Sequence, residues 1–216
     1  MENKETRSTP NIPHNIRSPH GDDTILNFYN GHFDCVYIIL HPFYKNISTV
    51  EKLSWAEFLL LSGLENINRL DIALRSSIGG LVKIHHNESD LAKLQNTADL
   101  NNIMLPEEGN FSSLLIDDML KTLLSLGHEW LYIGDEFGFE RRIVYIRDII
   151  GDHSDVNLHH ESWYTTKGEV LYATHWDSHY TLLCSDRRTI ERILEDYPFE
   201  GFFCDNRTKI YWSVSG

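Results

Sequence analysis

The stretch LYATHWDSHYTLLCSD, 171–186, decides how the second half of the chain is read. Taken as one strand, its two-residue period puts His175, Asp177 and His179 on one face, like the first shell of a histidine and carboxylate metal site. That strand would run 16 residues from Glu169, far beyond the usual five or six, and Asp177-Ser178 in its middle is turn chemistry. The better reading is a β-hairpin with Asp177 and Ser178 as its loop, pairing Trp176 with His179 and His175 with Tyr180. Paired residues share a face, so the two histidines then point to opposite faces and the metal constellation separates.

Outward from this hairpin the C-terminal region reads strand, turn, strand, helix, strand, turn, strand. EVLYATHW and HYTLLC form the first hairpin, a helix from Asp186 carries Ile190, Ile193, Leu194 and Tyr197 on one face, and GFFCD and KIYWSV supply a second hairpin. Upstream, WLYIGDEFGFERRIVYIRDIIG predicts a strand over 130–133, a glycine-containing turn and a second apolar run from Ile143. The intervening run His159-His160-Glu161, with Asp155, Asn157 and Ser162 as neighbours, reads as a polar loop and lacks the i, i+4 histidine pair of a helical zinc motif. His85-His86 lacks it as well.

The N-terminal half is helical in pattern. FDCVYIIL, 33–40, is a short apolar run stopped by His41-Pro42 and predicts a buried strand. Ser54 and Glu57 make a capping box before FLLL, so a helix begins there and Gly63 interrupts it. Ile67, Leu70, Leu74 and Ile78 then mark a second helix ending at Gly79-Gly80. LVKIHHNESDLAKLQNTADL predicts a short strand, a polar turn and a short helix from about Ser89. Over 110–126 the polar Ser113, Asp117, Lys121 and Ser125 line one face of a further helix, and Gly127 follows as its stop.

The predicted fold class is therefore α+β: a helical N-terminal part packed on an antiparallel sheet, with a C-terminal β-hairpin-α-β-hairpin unit. Residues 1–24, with three prolines and no apolar periodicity, read as a flexible or loosely docked arm. Residues 25–216 read as one domain, with a possible sub-boundary near 127.

Composition narrows the function. With 41% apolar and 12% aromatic residues the chain is of the globular class, and no run reaches the length of a membrane helix. The N-terminus carries no apolar signal region, so the cytoplasm is the expected compartment. Three widely spaced cysteines, Cys35, Cys184 and Cys204, form neither a disulfide framework nor a CxxC zinc pair and read as buried free thiols. GxSxG, P-loop and dinucleotide motifs do not occur, and GDEFG, 134–138, lacks every other element of a kinase site. No cofactor is expected.

Charge is the more informative property. The net charge is −13, split as −3 over residues 1–100 (9 basic, 12 acidic) and −10 over 101–216 (10 basic, 20 acidic). Such a surface repels phosphate backbones, which disfavours nucleic acid, and it steers a basic protein towards it. The plain alternative is that the carboxylates serve solubility alone. Carboxylates near predicted turns, Asp135, Glu136, Asp152, Asp155 and Asp205, together with Trp176, are the candidate binding groups.

The run Asp177-Ser178, Tyr180-Thr181, Cys184, Asp186 and the following Ile190-Glu191-Arg192-Ile193 helix resembles the C-terminal strand-turn-strand-helix of small uncharacterised families from bacilli and relatives. Comparable α+β proteins include immunity proteins of polymorphic toxin systems, similar in being small, acidic and without catalytic motifs. The resemblance covers some twenty residues, leaves out the helical N-terminal part and transfers no site residue. It implies a non-catalytic binding protein that masks a basic toxin. The alternative is a metal-dependent hydrolase built from the histidine-rich loops, with His175, Asp177, His179 and His159 as ligands.

Overall fold

A computed structural model of the protein describes residues 18–19, 23–46, 49–135, 141–153 and 161–214. In chain order the elements are α1 (Ile25–Phe28), β1 (Cys35–Leu40), β2 (Phe43–Asn46), β3 (Val50–Leu53), α2 (Trp55–Ser62), α3 (Ile67–Ser77), α4 (Glu88–Asn101) and β4 (Ile103–Met104). There follow α5 (Ile116–Ser125), β5 (Trp130–Asp135), β6 (Arg141–Tyr145), α6 (Ile146–Ile149), β7 (Glu161–Thr165), β8 (Leu171–Thr174), β9 (Tyr180–Ser185), α7 (Arg187–Asp196) and β10 (Gly201–Phe203).

Seven strands form one antiparallel sheet in the order β10-β1-β9-β8-β7-β5-β6, and β3-β2-β4 form a small second one. The α+β class is as the sequence predicts. β1 lies between β9 and β10, so the main sheet itself bridges the sub-boundary expected near 127.

Two apolar layers explain the strand sequences. Val36, Ile38 and Leu40 of β1 pack with α1 to α4, whereas Cys35, Tyr37 and Ile39 pack with α5, α6 and α7 on the other face. With both faces covered, CVYIIL and YTLLCS are buried at every position and lose the alternation of a half-exposed antiparallel strand. β10 sits so close to β1 that a Cβ on Gly201 would run into the Ile38 carbonyl.

Local signals fare well where they are self-contained. The Ser54 and Glu57 capping box is present, with the Ser54 Oγ accepting the Glu57 N–H at 3.1 Å and Gly63 closing α2 in the left-handed conformation. α3 and α7 begin at side-chain caps from Asn66 and Asp186.

Four expectations are corrected. The helix predicted over 110–126 starts only at Ile116, after a turn over 113–115, because the chain leading into it is tied to other elements: the Gly109 N–H donates to the Ser178 carbonyl (2.9 Å), and His41 Nδ1 holds the Glu107 carbonyl (2.8 Å). The strand expected near 81–84 is a short turn of 3-10 helix, with Val82 and Ile84 exposed and no strand among the described residues pairing with it, and the helix after it runs a full fourteen residues from its Asn87 cap. KIYWSV is not a strand, and the second C-terminal hairpin does not form. The Ile210 carbonyl is taken by Arg75 and the Tyr180 hydroxyl, and β10 pairs with β1 instead. The polar loop expected around 159–162 gives way to β7 from Glu161 onward, where Ser162 is buried. The small sheet of β2, β3 and β4 carries no signal strong enough to be predicted.

Within the predicted N-terminal arm, Ser18 and Pro19 are buried, and the Ser18 hydroxyl donates to the Thr174 carbonyl. Among the described residues no helix is long and apolar enough to cross a membrane.

Candidate functional site

The hairpin of β8 and β9 has the predicted register, with Thr174 opposite Thr181, but the ladder stops there. Residues 175–179 form a five-residue loop, closed where the Ser178 N–H donates to the His175 carbonyl at 2.9 Å. The turn thus centres on Trp176 and Asp177, one residue earlier than predicted. Since His175 and His179 both lie outside the ladder, strand alternation does not set their directions, and the expected opposition of faces has no basis.

What sets their environment is a buried polar network. Arg75 on α3 is wholly enclosed; its Nε donates to Asp71 (2.8 Å), Nη1 to the Asp177 carbonyl (2.6 Å) and Nη2 to the Ile210 carbonyl (2.9 Å). Burial opposes its charge, but Asp71 and the rings of Tyr180 and Tyr211 hold the guanidinium charged. Asp71 also accepts the Ser213 hydroxyl at 2.6 Å, so one ion pair ties α3, the hairpin loop and the C-terminal segment together.

His41 and His179 lie beside it. Burial pushes His41 down to about 4, and burial with the nearby Arg75 and His41 pushes His179 down to about 3. Because the Glu107 carbonyl can only accept, His41 carries its proton on Nδ1, and Nε2 accepts from the Thr181 hydroxyl at 2.9 Å. Both rings are neutral and shielded from solvent.

Asp177 is committed as well: its Oδ2 accepts the Tyr211 hydroxyl at 2.7 Å and the Trp176 indole N–H at 3.0 Å. The His175 ring lies tilted against Trp176 and meets Tyr211 edge-on, and Trp176 leaves about half its surface in solvent (45%). Among the described residues no three His, Cys, Asp or Glu side chains stand together as a metal site requires. His159, the fourth suspected ligand, lies outside the described residues.

Among the described residues the predicted binding carboxylates do not share one surface. Asp135 ends β5 opposite Glu161, at the end of the sheet that carries the 175–179 loop. Asp205 follows β10 at the opposite end of the sheet, where its carboxylate accepts the Arg207 N–H and the Thr208 hydroxyl, both at 2.9 Å. Those bonds hold it below the usual carboxylate range, so Asp205 builds its own turn. Asp152 is exposed in the turn after α6, and Glu136 and Asp155 lie outside the described residues.

The concave features lie elsewhere. A cleft of about 380 Å³ opens where β3, α2, α5 and the C-terminal end of α7 meet, floored by Leu40, Leu53, Leu115, Tyr197 and Phe199. Its rim carries Glu57, Asp118, Asp196 and Glu200 against one cation, Lys52. Glu200 accepts the Trp55 and Ala56 N–H groups at 2.7 and 3.0 Å, and Glu57 accepts the Ser54 N–H at 2.8 Å. Asp118 lies between Lys52 (3.6 Å) and Lys121 (3.5 Å). Sequence reasoning missed this cleft; the Ser54 and Glu57 box was its only local trace.

A second hollow, about 480 Å³, lies near the start of α7 and contains Glu129, Glu169 and Asp186 with Lys167 and His128. His128 stands 3.7 Å from Glu169, yet burial outweighs that carboxylate and lowers the imidazole's pKa.

No curated protein and no solved structure matches the chain. A family model does, over residues 21–214, and so takes in the helical N-terminal part that the sequence resemblance left out. A likeness to immunity proteins is not among these findings. The chain belongs to the family described as protein of unknown function (DUF2711).

Proposed function

We propose that the protein is a non-catalytic binding module for a basic protein, in the manner of an immunity protein that masks a basic toxin. One observation carries this reading: both described hollows are lined by more carboxylates than cations, four to one in the first and three to one in the second, where His128 is biased towards its neutral form. The excess sits where a partner's side chains enter, not merely on convex surface, and it agrees with the −10 charge of residues 101–216. Opposite charge accelerates encounter and sets orientation more than it sets the lifetime of the complex.

The test is capture of partners from the native host, followed by association kinetics of the purified pair. A basic partner whose on-rate falls at least about tenfold between low and high salt supports the reading. An acidic partner, or an on-rate indifferent to ionic strength, overturns it.

A further inference from the structure

The geometry points to the cleft between β3, α2, α5 and α7 as the docking site for a short segment of a partner protein in which a lysine or arginine stands next to an apolar residue. This rests on the reading of the protein as a module for a basic partner and adds the place and the chemistry of the contact.

An anion is excluded first. The N–H groups that open α2 are already taken within the chain: Trp55 and Ala56 donate to Glu200, Glu57 donates to the Ser54 hydroxyl, and the Ser54 N–H donates to the Glu57 carboxylate. The helix end contributes roughly half a positive charge. Together with Lys52, and Lys121 reaching Asp118 from outside, it leaves the four rim carboxylates in excess.

Asp196 supplies the independent observation. It stands exposed in the last turn of α7, next to Glu195 and with no basic residue there, where the helix dipole disfavours a carboxylate. Glu57, Glu200 and Asp118 each have a partner that explains them, whereas the Asp196 carboxylate has neither hydrogen bond nor ion pair among the described residues. A charge placed against the fold's own interest, at the mouth of a hollow, suits an incoming cation.

The floor defines the rest of the segment. Leu40, Leu115 and Phe199 are nearly out of solvent, and the Tyr197 and Phe199 rings lie parallel with centroids 6.3 Å apart. An apolar side chain set on this floor places the stem of a neighbouring lysine or arginine along Tyr197 and its head at Asp196. At about 380 Å³ the cleft is near the small end of pockets that enclose a ligand, which limits it to a few side chains.

The probe is a fluorescein-labelled pentapeptide of alternating leucine or phenylalanine and lysine, titrated against the full chain by anisotropy. Two controls accompany it: the peptide with glutamate for lysine, and the peptide with serine for its apolar residues. Asp196→Lys should weaken binding of the lysine peptide at least about fivefold, while raising thermal stability through the helix dipole. Asp99→Lys, the same charge change in the last turn of α4 and outside the cleft lining, should leave binding within about twofold. Loss of binding to both control peptides completes the expected result. Equal binding of the glutamate peptide, equal effects of the two variants, or self-association of the chain abolished by Asp196→Lys would each overturn the assignment. If a basic host partner binds in a salt-sensitive way yet ignores Asp196→Lys, the docking site is wrong and the proposed function stands. If neither the lysine peptide nor a basic partner associates, both fall.

Discussion

Arg75 and Asp71, one helical turn apart on α3, meet at 2.8 Å with both side chains wholly out of solvent. A buried pair of this kind costs heavily in desolvation, and its geometry is recovered only because every arm of the guanidinium has an acceptor. Removing one partner strands the other. Arg75→Met should therefore cost about 4 kcal/mol, leaving Asp71 unpaired and the Asp177 and Ile210 carbonyls without their donor. The double variant Arg75→Met with Asp71→Leu should be less destabilised than Arg75→Met alone, which urea unfolding of the single and double variants measures.

The two neutral histidines make stability depend on pH in a defined direction. Folding holds His41 near 4 and His179 near 3, below the ordinary value of about 6.5 that each regains on unfolding. The unfolded chain thus binds more protons between those values, so their contribution is fully present above pH about 6.5 and is lost as pH falls towards about 4 for His41 and about 3 for His179. The slope in that window should approach about 3 kcal/mol per pH unit for the pair. Urea midpoints at pH 7, 6 and 5 test this, and His179→Gln should reduce the slope by about half; an unchanged slope would show that the imidazole is not held neutral.

Gly201 should tolerate no side chain. Its Cβ would meet the backbone of β1 at Ile38, which cannot swing aside as a flexible side chain does. Gly201→Ala should cost about 3 kcal/mol and separate β10 from β1. Faster amide exchange at the β10–β1 pairing, with the β8–β9 ladder unaffected, is the expected signature.

The three cysteines, far apart in sequence, converge at one end of the main sheet. Cys184 and Cys204 flank Val36, the first by strand pairing and the second through its N–H on the Val36 carbonyl, and Cys35 precedes it. All three are free thiols, Cys35 and Cys184 buried and Cys204 partly so. Burial raises each of them, with Arg187 opposing the effect at Cys35. Thiol titration should find slow reaction in the native state and three equivalents after unfolding without reductant. One equivalent would mean a disulfide.

Local chemistry was legible in the residues. The Ser54 and Glu57 box, the Gly63 stop, the buried run CVYIIL and the register of the β8–β9 hairpin each depend on neighbours within a few positions, so sequence spacing by itself determined them. The start of α5, the fate of KIYWSV and the pairing of β10 were decided only by the tertiary structure. In each case a distant group, Ser178 for Gly109, Arg75 and Tyr180 for Ile210, or β1 for β10, took a backbone partner that local propensity had assigned elsewhere. The same holds for the sites. His175, Asp177 and His179 look like ligands along the chain, yet Tyr211 and Trp176 claim Asp177, and burial beside Arg75 and His41 keeps His179 neutral. The acidic cleft draws on residues from Leu40 to Glu200, which no periodicity links and only packing brings within reach of one another.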